Sequence, residues 1–126
     1  MTINNDVPQG EREASPQEDR SNWTVQQWTD YAEAGNKDLE GARLEGANLR
    51  GADLAGVNLE GAYLRGATLD RAKLEGAILT DARLNGASLE GANLKGADLR
   101  WAKLCGFLDL EGANLRDANL EGANLR

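Results

Sequence analysis

A leucine falls on every fifth residue from Leu39 to Leu104, fourteen times without a gap, and again at Leu110, Leu115, Leu120 and Leu125. No regular element keeps such a set on one surface. Five residues of α-helix turn through about 500°, which scatters the leucines around the cylinder. In a strand, an odd spacing throws successive leucines to opposite sides. A chain that buries all eighteen must therefore change direction once per repeat.

The sequence marks where it turns. Thirteen of the eighteen units carry glycine two places after the leucine, and glycine adopts positive φ without steric penalty. A turn from the leucine through that glycine to the next small residue puts glycine at its third position, as a type II turn requires. Arg71, Asp81, Trp101 and Asp117 occupy the same slot; those units are expected to form type I or irregular turns. Within a unit, the leucine and the small residue two before it alternate past one outward residue, so both point to the inside.

The units read ANLRG (47–51), ADLAG (52–56) and ANLKG (92–96), with ADLRW and ANLRD as variants. This pattern resembles the pentapeptide repeat family over residues 37–126. The resemblance implies an all-β solenoid, a right-handed quadrilateral β-helix whose coil closes every four units. Eighteen units then give about four and a half coils, a rod on the order of 20 Å long. Members of the family are numerous in cyanobacteria, and some imitate duplex DNA and bind DNA gyrase.

Ahead of the repeat lie two shorter segments. Residues 1–20 are polar and acidic with both prolines of the chain and are expected to be disordered. They lack the basic start and apolar centre of a signal peptide. Residues 21–36, SNWTVQQWTDYAEAGN, read as a short helix. Thr24 followed three residues later by Gln27 fits a capping box, and Trp23 with Trp28 fits a hydrophobic staple. Gly35 is placed to end the helix in a left-handed conformation. The helix is expected to cap the coil by laying Trp23, Val25, Trp28 and Tyr31 over the first leucines; docking a partner is its alternative role.

Composition narrows the function. The chain carries a net charge of −7, no histidine and a single cysteine, Cys105. An internal disulfide and a cysteine-cluster metal site are excluded, and the usual near-neutral acid, base and metal ligand is missing. With no nucleophile beside a base and no cleft in a filled tube, an enzyme is not expected, nor is any cofactor or metal. No apolar run reaches membrane-span length, so a cytoplasmic protein is expected.

The charge is uneven along the chain and around it. Residues 1–36 hold seven acids against two bases, whereas residues 37–126 hold fourteen acids against twelve bases, a net of −2. With a twenty-residue coil, one side gathers Asp38, Glu40, Glu60, Asp81, Asp98 and Glu121 against Arg100, a net of −5. Its neighbour gathers Arg43, Arg65, Arg83, Lys103 and Arg126 against Glu45, a net of +4, with Tyr63 in the same column. Arg43, Tyr63, Arg83 and Lys103 are candidate interaction residues; the alternative is a solvated charge ladder. The frequent asparagines at the slot before the leucine are expected to bond to nearby main chain.

One step breaks the rhythm. In LCGFLDL (104–110) the leucine interval is six. Phe107 is expected to bulge outward, leaving Leu108 in the inner slot before Leu110. The step is a joint in the coil or, with Trp101, Cys105 and Phe107 exposed, part of a partner surface. The final coil exposes apolar core, which points to a homodimer through it. The reading that follows is a non-enzymatic structural or protein-interaction module with an unnamed protein partner, binding neither nucleic acid nor membrane. A DNA mimic acting on DNA gyrase is the alternative.

Overall fold

A computed structural model describes residues 20–126. The acidic N-terminal segment falls on residues 1–20, and all of it but Arg20 lies outside the described residues. One helix, α1, spans Val25–Glu33. The Thr24 side chain accepts from the Gln27 amide at 3.1 Å, and the Gln27 side chain accepts from the Thr24 amide at 2.8 Å. Trp23 and Trp28 pack with ring centroids 4.8 Å apart. Gly35, at φ +93°, turns the chain out of the helix.

From residue 38 onward the backbone is a stack of parallel bridges, which up to the pair Arg83 and Lys103 join a residue to the one twenty places on: Asp38 to Asn58, Arg43 to Tyr63, Asn48 to Thr68, Asp53 to Lys73. Twenty residues with a turn every five make a four-sided coil. Outside the six-residue step, each turn closes on a bond such as Ala42 N–H to Leu39 O, 3.0 Å. Between coils the amides of the leucine and the glycine donate forward, as in Leu39 to Asn58 O and Gly41 to Glu60 O, both 2.8 Å. Leucines and alanines fill the tube, and from Leu39 to Leu104 every leucine is buried.

The four units without glycine depart from the expected turn. Arg71, Asp81, Trp101 and Asp117 all have left-handed backbone, φ +59° to +63°. Their turns close like the others, Ala72 N–H to Leu69 O at 3.0 Å and Ala102 N–H to Leu99 O at 3.1 Å. The expectation of type I or irregular turns was wrong. The ladder bonds on either side fix the geometry, and the residue in the slot takes the strain.

At the six-residue step the chain keeps its register. Phe107 stands outward at 96 % exposure while Leu108 packs against the core. Bridges resume with Ser88 to Asp109 and thereafter join residues twenty-one apart. Gly106, at φ +86°, supplies the bend that the extra residue needs.

The two ends differ. Trp28, Tyr31 and Ala32 of α1 are buried in the same apolar cluster as Leu39 and Leu44, with Trp23 and Val25 packed against it. Thr29, whose hydroxyl donates to Val25 O at 2.8 Å, is also buried. At the far end Leu110, Leu115 and Leu120 are half-buried, and Leu125 is 61 % exposed. The repeat leucines from Leu89 to Leu125, without Leu108, line an entirely apolar hollow of about 260 Å³ there.

Candidate interaction face

The outward residue before each leucine does one of two jobs. In a repeat unit four backbone amides are used by the turn and the neighbouring coils, which leaves the amide after the leucine without a main-chain acceptor. Where the outward residue is Asp or Asn, its carboxyl or amide oxygen accepts that N–H. Arg50 donates to Asn48 at 3.2 Å, Glu60 to Asn58 at 3.0 Å and Glu111 to Asp109 at 2.9 Å. This local bond, worth about 0.5–1.5 kcal/mol when well shielded, is why Asn and Asp recur there.

One side of the coil gives it up. Arg43, Tyr63, Arg83 and Lys103 occupy the slot at four successive levels of a single column, and only Asn124 at its end restores the bond. No other side does this; the acidic neighbour keeps the bond at Asp38, Asn58, Asp98 and Asn119. The side whose column abandons the bond is the one that carries +4.

On this side the Arg83 guanidinium stacks over the Tyr63 ring, 4.9 Å from its centroid. Glu45, Tyr63, Arg65, Arg83, Asn85 and Lys103 line a shallow groove of about 340 Å³. Among the described residues the ion pairs are Arg20 with Asp38, 3.7 Å, and Arg100 with Asp98, 2.7 Å. Arg43, Arg65, Arg83 and Lys103 therefore face solvent without a carboxylate partner. On the acidic side the Arg100 side chain donates two bonds to Asp98 and holds its carboxyl below the usual range.

The aromatic candidates belong to the same side. Trp101, 56 % exposed, occupies the corner at which the Lys103 side begins, since its turn runs from Leu99 to Ala102. Phe107 occupies the corner at which that side ends. The Trp101 ring lies against Gly122 of the next coil, so close that a Cβ there would clash with it. Of the three residues read together as a partner surface at the step, Trp101 and Phe107 stand on successive corners with Lys103 between them. Cys105, half-buried, accepts from the Asn85 amide at 2.7 Å. Among the described residues no cluster of carboxylate or thiol groups could hold a metal ion. No described helix is long and apolar enough to cross a membrane.

A four-sided tube, filled with leucine and carrying its chemistry on its outer sides, defines a solenoid scaffold. The chain belongs to the pentapeptide repeat family, whose sequence pattern matches it in eight copies over residues 38–71, 67–106 and 108–126. Its solved members form right-handed quadrilateral β-helices. Among them, the pentapeptide repeat protein Rfr23 of the cyanobacterium Cyanothece 51142 is similar at 45 % identity and a TM-score of 0.69 over 71 % of this chain. This chain spans 60 % of the length of Rfr23. The pentapeptide repeat protein alr5209 of Nostoc PCC 7120 matches at 32 % identity over 82 % of this chain and 96 % of its own, with a TM-score of 0.40. QnrB1, a plasmid-mediated fluoroquinolone resistance protein, shares 23 % identity over 71 % of this chain and 60 % of its own, TM-score 0.30. No curated protein matches.

Proposed function

We propose that this protein is a non-enzymatic interaction module that presents its basic side to an acidic protein partner. The supporting observation is the column Arg43, Tyr63, Arg83 and Lys103, where four successive levels exchange a backbone-capping Asn or Asp for a cation or an aromatic ring. Unpaired cations beside an aromatic ring suit the recognition of carboxylates, because charge complementarity steers encounter and fixes orientation. The test is capture of partners from native extract with the wild-type protein and two charge-reversed variants. One carries Arg43→Glu, Arg83→Glu and Lys103→Glu; the other carries Lys73→Glu, Lys95→Glu and Arg116→Glu on the opposite side. Loss of capture confined to the first variant supports the reading, and survival of capture in it ends the reading.

In the same reading α1 is the cap of a rod of about four and a half coils, and the open final coil joins a second copy end to end. The alternative, duplex mimicry directed at DNA gyrase, has the acidic side in its favour. Duplex DNA is anionic all round, whereas here that side adjoins one of net +4. A gyrase supercoiling assay with and without quinolone decides between them; no effect at micromolar excess removes the alternative.

A further inference from the structure

Resting on that reading of the basic side, a second observation specifies the partner's chemistry. Trp101 is a bulky residue held at φ +63° in a slot that glycine fills in thirteen units. A large side chain with positive φ is a genuine outlier, and strain of this kind gathers at functional sites. The strained ring is not hidden. Its 56 % exposure, and the 96 % exposure of Phe107 at the next corner, leave two aromatics flanking Lys103. Three extended residues separate the corners, about 10 Å. Arg83, pinned on Tyr63, lies one coil below Lys103 in the same column.

We propose that Trp101 and Phe107 receive apolar side chains of the partner, so that this side binds an extended acidic peptide carrying apolar residues beside its carboxylates. Trp and Arg are among the side chains that most often dominate binding surfaces, and here aromatic rings alternate with cations on one side of the rod. A nucleic acid strand would also stack on aromatics. The neighbouring side, with six acids against Arg100, opposes a long polyphosphate, whereas a short carboxylate segment confined to the basic side escapes that repulsion.

The test uses the full chain and fluorescein-labelled decapeptides read by anisotropy: one of glutamates with interspersed leucines, one with serines replacing the leucines, and an oligothymidylate of equal length. The Glu/Leu peptide is expected to bind about tenfold more tightly than the Glu/Ser peptide. Trp101→Gly combined with Phe107→Ser should bring the two peptides within about twofold, while Arg83→Glu with Lys103→Glu should weaken both about tenfold. The Trp101→Gly chain, with the preferred residue restored to its slot, should melt no lower than wild type, which separates loss of binding from loss of fold. Equal affinity of wild type for the two peptides would overturn the aromatic subsites and leave the basic side standing. Failure of both peptides to bind would overturn both readings. Tighter binding of the oligothymidylate would replace the peptide with a nucleic acid.

Discussion

At the scale of single residues, the repeat tolerates strain because the backbone is held on every side. Arg71 N–H donates to Glu90 O at 2.8 Å, and the turn beneath it closes at 3.0 Å, so the slot keeps φ +60° whatever occupies it. Left-handed backbone costs an L-residue roughly 1–2 kcal/mol, partly offset by the lower entropy of a non-glycine chain when unfolded. Arg71→Gly is therefore expected to stabilise the fold by about 0.5–1 kcal/mol, read as a rise in melting temperature. Asp81→Gly should gain less, since Asp tolerates this region better. Gly76→Ala should lose about 1 kcal/mol. Gly122→Ala meets the Trp101 ring as well, so it should cost more than Gly76→Ala and shift tryptophan emission. That excess should vanish in a Trp101→Gly background. Equal costs of the two alanines in wild type would show that the ring does not rest on Gly122.

At the scale of elements, α1 is too short to hold itself. Nine residues are marginal for an isolated helix, and its persistence depends on what Trp28 and Tyr31 cover. Arg20 binds the start of the segment to this assembly. Its guanidinium lies 5.0 Å from the Tyr31 centroid, 5.7 Å from that of Trp23 and 5.9 Å from that of Trp28, and it donates to Asp38 O at 3.3 Å. Trp28→Ala should cost about 3–5 kcal/mol, and because solenoid levels stabilise only their neighbours, the loss should start at one end. Hydrogen exchange is the discriminating measurement: the Leu39 and Gly41 amides should lose protection well before those of Leu79 and Leu84. Uniform loss would mean that α1 supports the rod as a whole and does not act as a cap. Thr24→Ala, which removes one half of the capping box, should cost about 1 kcal/mol.

These elements also mark what a sequence can and cannot reveal. The leucine period and its glycines dictate a turn per unit because nothing else buries the set, and Thr24 with Gln27 advertises a helix start through local bonds. Phe107 is legible for the same reason: the tube has room for Leu108 alone in the inner slot. The left-handed Arg71 and Trp101 were not, because local preference forbids them and only the ladder, a tertiary effect, imposes them. The contact of Trp101 with Gly122 and the missing Asn bonds of the basic column depend on which residues share a corner or a column. Coil register alone decides that.

At the scale of the whole molecule, the asymmetry of the two ends sets the remaining behaviour. Leu39, Leu44 and Leu49 of the first coil are as deeply buried as leucines in the middle of the rod, whereas Leu110, Leu115 and Leu120 of the last coil are half-buried. No described residue covers the hollow that they line. Exposed apolar surface gains about 25 cal/mol per Å² when removed from water, and the last coil also presents leucine amides, such as those of Leu115 and Leu120, that have no further coil to donate to. End-to-end pairing of two such coils satisfies both at once. Association should therefore depend on concentration, persist in salt and respond to the mouth of the tube, not to the charged sides. Light scattering of the full chain should show dimer at high concentration, and Leu115→Lys with Leu125→Lys should return it to monomer. Arg83→Glu, on the outer basic side, should leave the dimer intact. A strict monomer at high concentration would mean that the open coil is not a self-association surface. Dimer loss in Arg83→Glu would instead place the contact on the basic side, where it would compete with the acidic partner.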